Sequence, residues 1–187
     1  MRTQRPGQSA LLFLDVAELL DREHIDYLVI GAFALSVHGT VRASVDVDAL
    51  LHLSYSRLKE LSALFEAAQF GVVLNRGDDD DPISSMLILS DAHGNRVELL
   101  GGLRRLDPQV FARAIEVPFR GITLRVVGRE DFIAMKCFAG ERQDLVDARS
   151  AFEGAQGPLD LDLLRTVARR FGRDAADRLE NLLGSLG

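Results

Sequence analysis

Tryptophan is absent from this chain, tyrosine occurs twice and cysteine once. A single thiol, Cys137, excludes an internal disulfide and any zinc site built on cysteines. Its setting in Phe132-Ile133-Ala134-Met135-Lys136-Cys137-Phe138 marks it as a small buried hydrophobe rather than a nucleophile. Without tryptophan and with so little tyrosine, stacking platforms for single-stranded bases are scarce. No apolar run reaches the ~20 residues of a membrane span, and Met1-Arg2-Thr3-Gln4-Arg5-Pro6 leads into no secretory core. The expectation is a cytoplasmic protein with no membrane association. Positive charge is not in excess either. The 22 Lys and Arg against 28 Asp and Glu leave a net charge of -6, which argues against broad coating of nucleic acid.

What remains is an ordinary globular composition, 47% hydrophobic and 27% charged over 187 residues. That length suits one domain with a full core, or one domain plus a small helical annex. Leu11, Leu12, Val16, Leu19 and Leu20 recur at helical spacing, predicting an amphipathic helix over residues 9–23 capped by Ser9. A short buried strand over 26–30 ends at Gly31, and a helix over 32–38 closes at Gly39. Next come an acidic strand over about 44–51 and a helix over 55–68. Strands near 70–74, 86–90 and 96–100 follow, the last two joined by the hairpin turn 91–95. A short helix near 107–114 and strands near 117–120 and 123–126 complete the sheet. From Arg129 onward the pattern is helical, with breaks at Gly140, at 154–158 and at Gly172. The fold class is therefore α+β (α/β), with a core over 1–127 and a C-terminal helical segment over 128–187 packed on it. Asp78 to Asp81, four like charges before Pro82, read as a solvated loop and not as metal ligands.

The informative feature is the pair Asp46 and Asp48 in Arg42-Ala43-Ser44-Val45-Asp46-Val47-Asp48-Ala49-Leu50-Leu51. In a strand the two carboxylates share one face, while Val45, Val47 and Ala49 face the other. Adjacent carboxylates repel, and an apolar strand tolerates them most readily with a cation between them, a divalent ion being the simplest. The alternative is a solvated edge strand. Glu98, alone between Val97 and Leu99, offers a third carboxylate for an oxygen cage around a hard cation. Its alternative is an edge residue paired with Arg96 or Arg104. Gly31 stands where a strand meets a helix, a place where free N–H groups receive phosphate oxygens. His38 beside Gly39 reads as a helix-closing residue. Arg165, Arg169, Arg170 and Arg173 could meet an RNA backbone, but interleaved Asp160, Asp162, Asp174 and Asp177 fit an ordinary salt-bridged surface.

Taken together, Leu28-Val29-Ile30-Gly31-Ala32-Phe33-Ala34-Leu35 and Arg42-Ala43-Ser44-Val45-Asp46-Val47-Asp48 resemble the signature of the DNA polymerase β-like nucleotidyltransferases. That signature is an apolar strand, glycine with a second small residue, a helix, two acids separated by one apolar residue, and a third acid on a later strand. Glu98 fits the third position. Asp131 to Lys136 followed by Glu141-Arg142-Gln143-Asp144-Leu145-Val146-Asp147 is similar to the helical segment of the small bacterial AbiEii-like type, and the resemblance spans about residues 26–150. Ala32 departs from the usual Gly or Ser, and Gln143 stands where relatives often carry Lys.

The resemblance implies a nucleotidyltransferase-type mixed sheet with flanking helices. It also implies transfer of a nucleoside monophosphate from an NTP such as ATP to a hydroxyl. Asp46, Asp48 and Glu98 would hold two Mg²⁺ or Mn²⁺ ions, and Glu98 would also be placed to accept the proton. Gly31 and Ala32 would offer N–H groups to the phosphates and Lys136 would neutralise them, with Asp144 positioning that lysine or the base. Arg42 and Ser44 would belong to the nucleotide site, the arginine screening the acids. Lys136 also admits a plain reading as a solvated helix lysine, and Arg42 as a residue that only caps the sheet. The acceptor is left open among tRNA, a protein and a small molecule, as is a toxin role with an antitoxin partner. A non-catalytic nucleotide-binding or partner-binding module is the alternative from another class.

Overall fold

The computed structural model describes residues 1–78, 80–154 and 157–185. Asp79 of the aspartate run, and Ala155 and Gln156 of the expected 154–158 break, lie outside the described residues. The chain runs through α1 (Ser9–Arg22), β1 (Tyr27–Val29), α2 (Gly31–Val37), β2 (Asp46–Leu51), α3 (Tyr55–Ala67), β3 (Gly71–Arg76), β4 (Ser85–Ser90) and β5 (Arg96–Leu100). A 3₁₀ turn over Pro108–Phe111 leads into β6 (Ile115–Phe119), β7 (Ile122–Val126), α4 (Arg129–Ala139), α5 (Arg142–Glu153), α6 (Leu161–Phe171) and α7 (Arg173–Gly184).

The seven strands form one mixed sheet in the order β3-β4-β5-β2-β1-β7-β6. Two of its pairings position the site. β2 runs antiparallel to β1, with Val29 opposite Ala49, and parallel to β5, with Asp48 opposite Glu98. Period-two alternation then does the rest. Val47 and Ala49 are buried on one side of β2, and the half-buried Asp46 and Asp48 emerge on the other. Buried apolar residues form one contiguous cluster running from α1 through the central strands to Leu164, Phe171 and Leu179 of the last helices. Each fully buried Val, Leu, Ile or Phe in it contributes roughly 1.5–3 kcal/mol of burial. Among the described residues, no helix is long and apolar enough to cross a membrane.

Ser9 does not cap α1 as its sequence position suggests, because Gln8 is the capping residue and Ser9 lies in the first turn. Its hydroxyl donates to the carbonyl of Val45 and accepts the N–H of Arg96 at 3.0 Å. A residue expected to start a helix thus ties that helix to the leading ends of β2 and β5. The expected short helix near 107–114 contracts to the single 3₁₀ turn, where Asp107 accepts the Gln109 N–H at 3.1 Å. Exposed Asp78, Asp80 and Asp81 form the expected solvated loop, in which Asp78 Oδ1 accepts the N–H groups of Asp80 and Asp81, each at 3.0 Å.

Two devices fix α4. At its start the guanidinium of Arg113 grips buried Asp131 through two contacts of 2.7 Å and reaches Asp107 at 2.9 Å. This paired hydrogen bonding holds the arginine's pKa above its ordinary value, Asp131 contributing most. At the other end Gly140 takes φ +73°, which glycine adopts at little cost. A Cβ there would lie 2.3 Å from the Arg178 guanidinium, which donates to the carbonyls of Cys137 and Phe138 at 3.0 and 3.1 Å. Cys137 is fully buried, and burial pushes its thiol up to about 11, in keeping with an inert core residue.

Candidate active site

The parallel register of β2 and β5 puts Asp48 and Glu98 side by side, with Asp46 two residues earlier on the same face. Asp46 accepts the Ser44 hydroxyl at 2.7 Å, and Glu98 is held by Arg96 at 2.6 Å. Glu98 thus faces the acids and has an arginine partner, but β5 lies between β4 and β2, so it is not the edge residue of the alternative reading. Burial pushes the Asp48 carboxyl up to about 6, with the nearby Asp46 and Glu98 charges adding to the effect and Lys136 and Arg42 opposing it.

Gly31 meets this carboxylate directly. It opens α2 with φ +63°, and a Cβ built on it would stand 2.1 Å from Asp48 Oδ2. The preceding N–H, that of Ile30, donates to the Asp48 carbonyl at 2.9 Å. Glycine is thus required here for its backbone conformation and for the close approach of the acid. Ala32 follows within α2 and is buried, and its carbonyl accepts the Ser36 hydroxyl at 3.0 Å.

Lys136, on α4, shares a cavity wall with Asp48 and Glu98. It is not the solvated helix lysine of the plain reading: Nζ lies 2.6 Å from Asp144 and 3.3 Å from Asp147, both on α5. The turn after Gly140 brings α5 back alongside, and Asp144 also accepts the Glu141 N–H at 3.3 Å. Arg42, from the segment between α2 and β2, approaches Asp147 at 3.5 Å. Sequence reasoning assigned Asp147 no role, yet this carboxylate is the most buried member of the group, at 1% exposure. Its Oδ1 accepts Gln143 Nε2 at 2.9 Å, while Oδ2 makes no hydrogen bond and faces the two cations only through charge. The i,i+3 spacing of Asp144 and Asp147 on one helix was the available signal. Gln143, seen from the sequence as a departure, satisfies one oxygen of that buried acid.

Asp48, Glu98, Gly31 and Lys136 share the wall of one cavity of about 260 Å³. Asp46, Ser44, Arg42 and Asp144 do not line it. His38 closes α2 as expected, with Nε2 2.9 Å from the Val127 carbonyl, and burial lowers its pKa. In the C-terminal arginine group, Arg165 is paired with Glu180 at 2.8 Å.

For a divalent metal the donor chemistry fits: hard carboxylate oxygens on adjacent parallel strands, one of them destabilised in its ionised form by burial and then by its like-charged neighbours. Among the described residues, however, no three His, Cys, Asp or Glu side chains are already gathered as a cage. Glu98 would have to exchange Arg96, and Asp46 the Ser44 hydroxyl, for an ion.

A mixed sheet carrying acids on neighbouring parallel strands, with helices around it, has the nucleotidyltransferase architecture. The chain matches the family described as nucleotidyltransferase of unknown function (DUF6036) over residues 10–181, and it belongs to that family. No curated protein matches it. Among solved structures it is similar to the antibiotic-resistance factor ANT(2'')-Ia, at 14% identity over 94% of this chain and 95% of that one, with a TM-score of 0.59. An antigenic nucleotidyltransferase-like protein from Paracoccidioides brasiliensis aligns at 16% identity over 98% and 91% of the two chains, TM-score 0.56. The lincosamide antibiotic adenylyltransferase LnuA, in a lincomycin-bound structure, aligns at 10% identity over 80% and 98%, TM-score 0.50. At such identities the likeness is one of fold.

Proposed function

We propose that this protein transfers a nucleoside monophosphate from an NTP to a hydroxyl of a small molecule, at the site formed by Asp46, Asp48, Glu98, Gly31 and Lys136. The observation that carries the reading is the register that sets Asp48 beside Glu98, with the Gly31 backbone pressed against Asp48. Asp46 and Asp48 would hold the Mg²⁺ or Mn²⁺, joined by Glu98 once it leaves Arg96. The metal supplies charge neutralisation for the triphosphate and acidifies the attacking hydroxyl. Gly31 and Ala32 present backbone N–H groups to the phosphates, and Lys136 and Arg42, both tied to Asp147, carry positive charge towards them. Asp144 fixes the lysine. Glu98 takes the proton of the incoming hydroxyl.

A small-molecule acceptor is favoured over tRNA for two reasons. The structural neighbour ANT(2'')-Ia has been solved with adenylyl-2''-tobramycin, at 14% identity and a TM-score of 0.58 over 86% of this chain and 95% of that one. Within this chain, Arg165 is already neutralised by Glu180, which weakens the one candidate RNA-binding stripe. No observation favours an AbiEii-like toxin with its antitoxin, or a non-catalytic module, over this reading.

Incubation with each labelled NTP and Mg²⁺, with a small-molecule extract or total RNA as acceptor, tests it. Label is expected in the small-molecule fraction and in neither fraction with the Asp46→Ala/Asp48→Ala protein. Mg²⁺ or Mn²⁺ is also expected to raise the melting temperature of the wild type and not of that variant. No metal shift in either protein, together with no transfer of label, would overturn the proposal.

A further inference from the structure

We infer that the acceptor is a neutral alcohol whose apolar body, one or two rings or a short branched chain, enters the cavity between α4 and the β4–β5 side of the sheet. This rests on the nucleotidyl-transfer reading above and names the acceptor class. In the sheet register Met86 stands opposite Leu100 and Ile88 opposite Glu98, so Met86 and Leu100 share the face that carries Asp48 and Glu98. α4 closes over this face with Met135 and Phe138, and Ile83 and Leu103, joined by an isolated bridge, form the far wall. The lining is therefore apolar except for Asp48, Glu98 and Lys136.

The position separates the two substrates. Of the groups assigned to the triphosphate, Ala32 and Arg42 lie outside the cavity lining while Gly31 and Lys136 stand on its wall, so the two substrates meet at that wall and the rest of the cavity is left to the acceptor. The cavity extends to the Glu98 side of Asp48, because β5 and then β4 follow β2 in the sheet. A molecule seated there presents its hydroxyl to Glu98. The hydroxyl oxygen bonds to the α-phosphorus, the α–β phosphoanhydride bond breaks, pyrophosphate leaves, and the hydroxyl proton passes to the Glu98 carboxylate.

Size and polarity then select the acceptor. About 260 Å³ falls just below the range of roughly 300–1,000 Å³ that holds drug-sized ligands, so a body of one or two rings matches it better than a larger aminoglycoside. Ammonium groups against Met86, Leu103 and Phe138 would lose their hydration, and only one reaching Asp48 or Glu98 would gain a partner. The two flexible thioethers suit flat rings of varied outline. A larger hollow of about 700 Å³ shares Pro82 and Leu103 with this cavity and carries Arg76, Asp78, Asp81 and Arg105. A charged acceptor would use that hollow instead, which gives the inference a definite opposite.

The test uses the full chain and 2-naphthylmethanol, whose own fluorescence reports binding. Saturable binding is expected, weakened at least fivefold by Met86→Gln or Met135→Gln, which keep side-chain length, and retained in Met86→Leu. With Mg²⁺ and NTPs, transfer to this alcohol is expected to exceed transfer to tobramycin at least tenfold. No saturable binding, equal affinity in the Gln variants, or faster transfer to tobramycin overturns the inference. Binding that responds to the Gln variants in a wild type that transfers no nucleotide overturns the proposed function alone. Transfer to some other acceptor, with a KM unmoved by the Gln variants, overturns the cavity assignment alone.

Discussion

Replacing Asp48 with asparagine is expected to stabilise the metal-free protein while abolishing its chemistry. A carboxyl held at about 6, against an ordinary value of 3.8, makes its ionised form roughly 3 kcal/mol more costly in the folded chain than in the unfolded one. The folded chain binds this proton more tightly, so stability falls as pH rises from about 4 to about 6, and the full cost is present above that. Asparagine keeps the shape pressed against Gly31 and carries no charge. Asp48→Asn in EDTA at pH 7.5 should therefore gain about 1–3 kcal/mol, less than the ceiling because an amide also loses hydration on burial. For a chain of this length that is roughly 2–12 °C in melting temperature. Near pH 4 the gain should shrink towards zero, since the wild-type carboxyl is then protonated. Adding Mg²⁺ at pH 7.5 should narrow the gap by stabilising the wild type alone. Thermal and urea denaturation at the two pH values measure all of this. An Asp48→Asn protein that is less stable than wild type at pH 7.5, or whose advantage is the same at pH 4, would refute the account of Asp48 as a carboxylate held at a cost for its function.

Gly31→Ala places a Cβ at φ +63° against Asp48 Oδ2, so it should lose about 1–2 kcal/mol of stability and more than tenfold in turnover. The stability loss should shrink in an Asp48→Ala background, and equal losses in both backgrounds would rule out the contact as its cause. Asp147→Asn releases the shared anchor of Lys136 and Arg42, and the KM for NTP should rise about five- to tenfold with kcat little changed. A fall in kcat at unchanged KM would contradict that role. Arg113→Met leaves Asp131 buried without its cation and should cost about 3 kcal/mol in urea denaturation. The Arg113→Met/Asp131→Leu double variant should recover most of it, and an equally unstable double variant would point to lost packing instead.

The parts of the site that follow strand periodicity were legible in the sequence. Val45-Asp46-Val47-Asp48 and Val97-Glu98-Leu99 each announce a polar face on an apolar strand, and Gly31 at a strand end announces a tight entry to a helix. Parallel pairing of the two acid strands was not legible, because nothing local in Arg96–Leu100 says that β2 is its neighbour. Asp147 escaped for a related reason. On α5 it reads as one more surface acid, and only the fold of α5 back on α4 buries it between Lys136 and Arg42. Ser9 misled because a serine before an apolar helical run is a strong capping signal, and its hydroxyl was taken by long-range partners instead. The cavity, too, depends on Met86 and Met135, which are 49 residues apart in the sequence and meet only across the α4–sheet gap.

Ser9 carries a further consequence. Its one hydroxyl bridges the carbonyl of Val45, just before β2, and the first N–H of β5, so the alignment of the two acid-bearing strands is clamped by a group that belongs to neither. On the proposed reading, the site therefore depends also on a hydroxyl of α1 that stands on no wall of the cavity. A fusion, a cleavage or a binding partner acting on α1 would adjust the spacing of Asp48 and Glu98 by strand alignment, and would do so without touching a substrate.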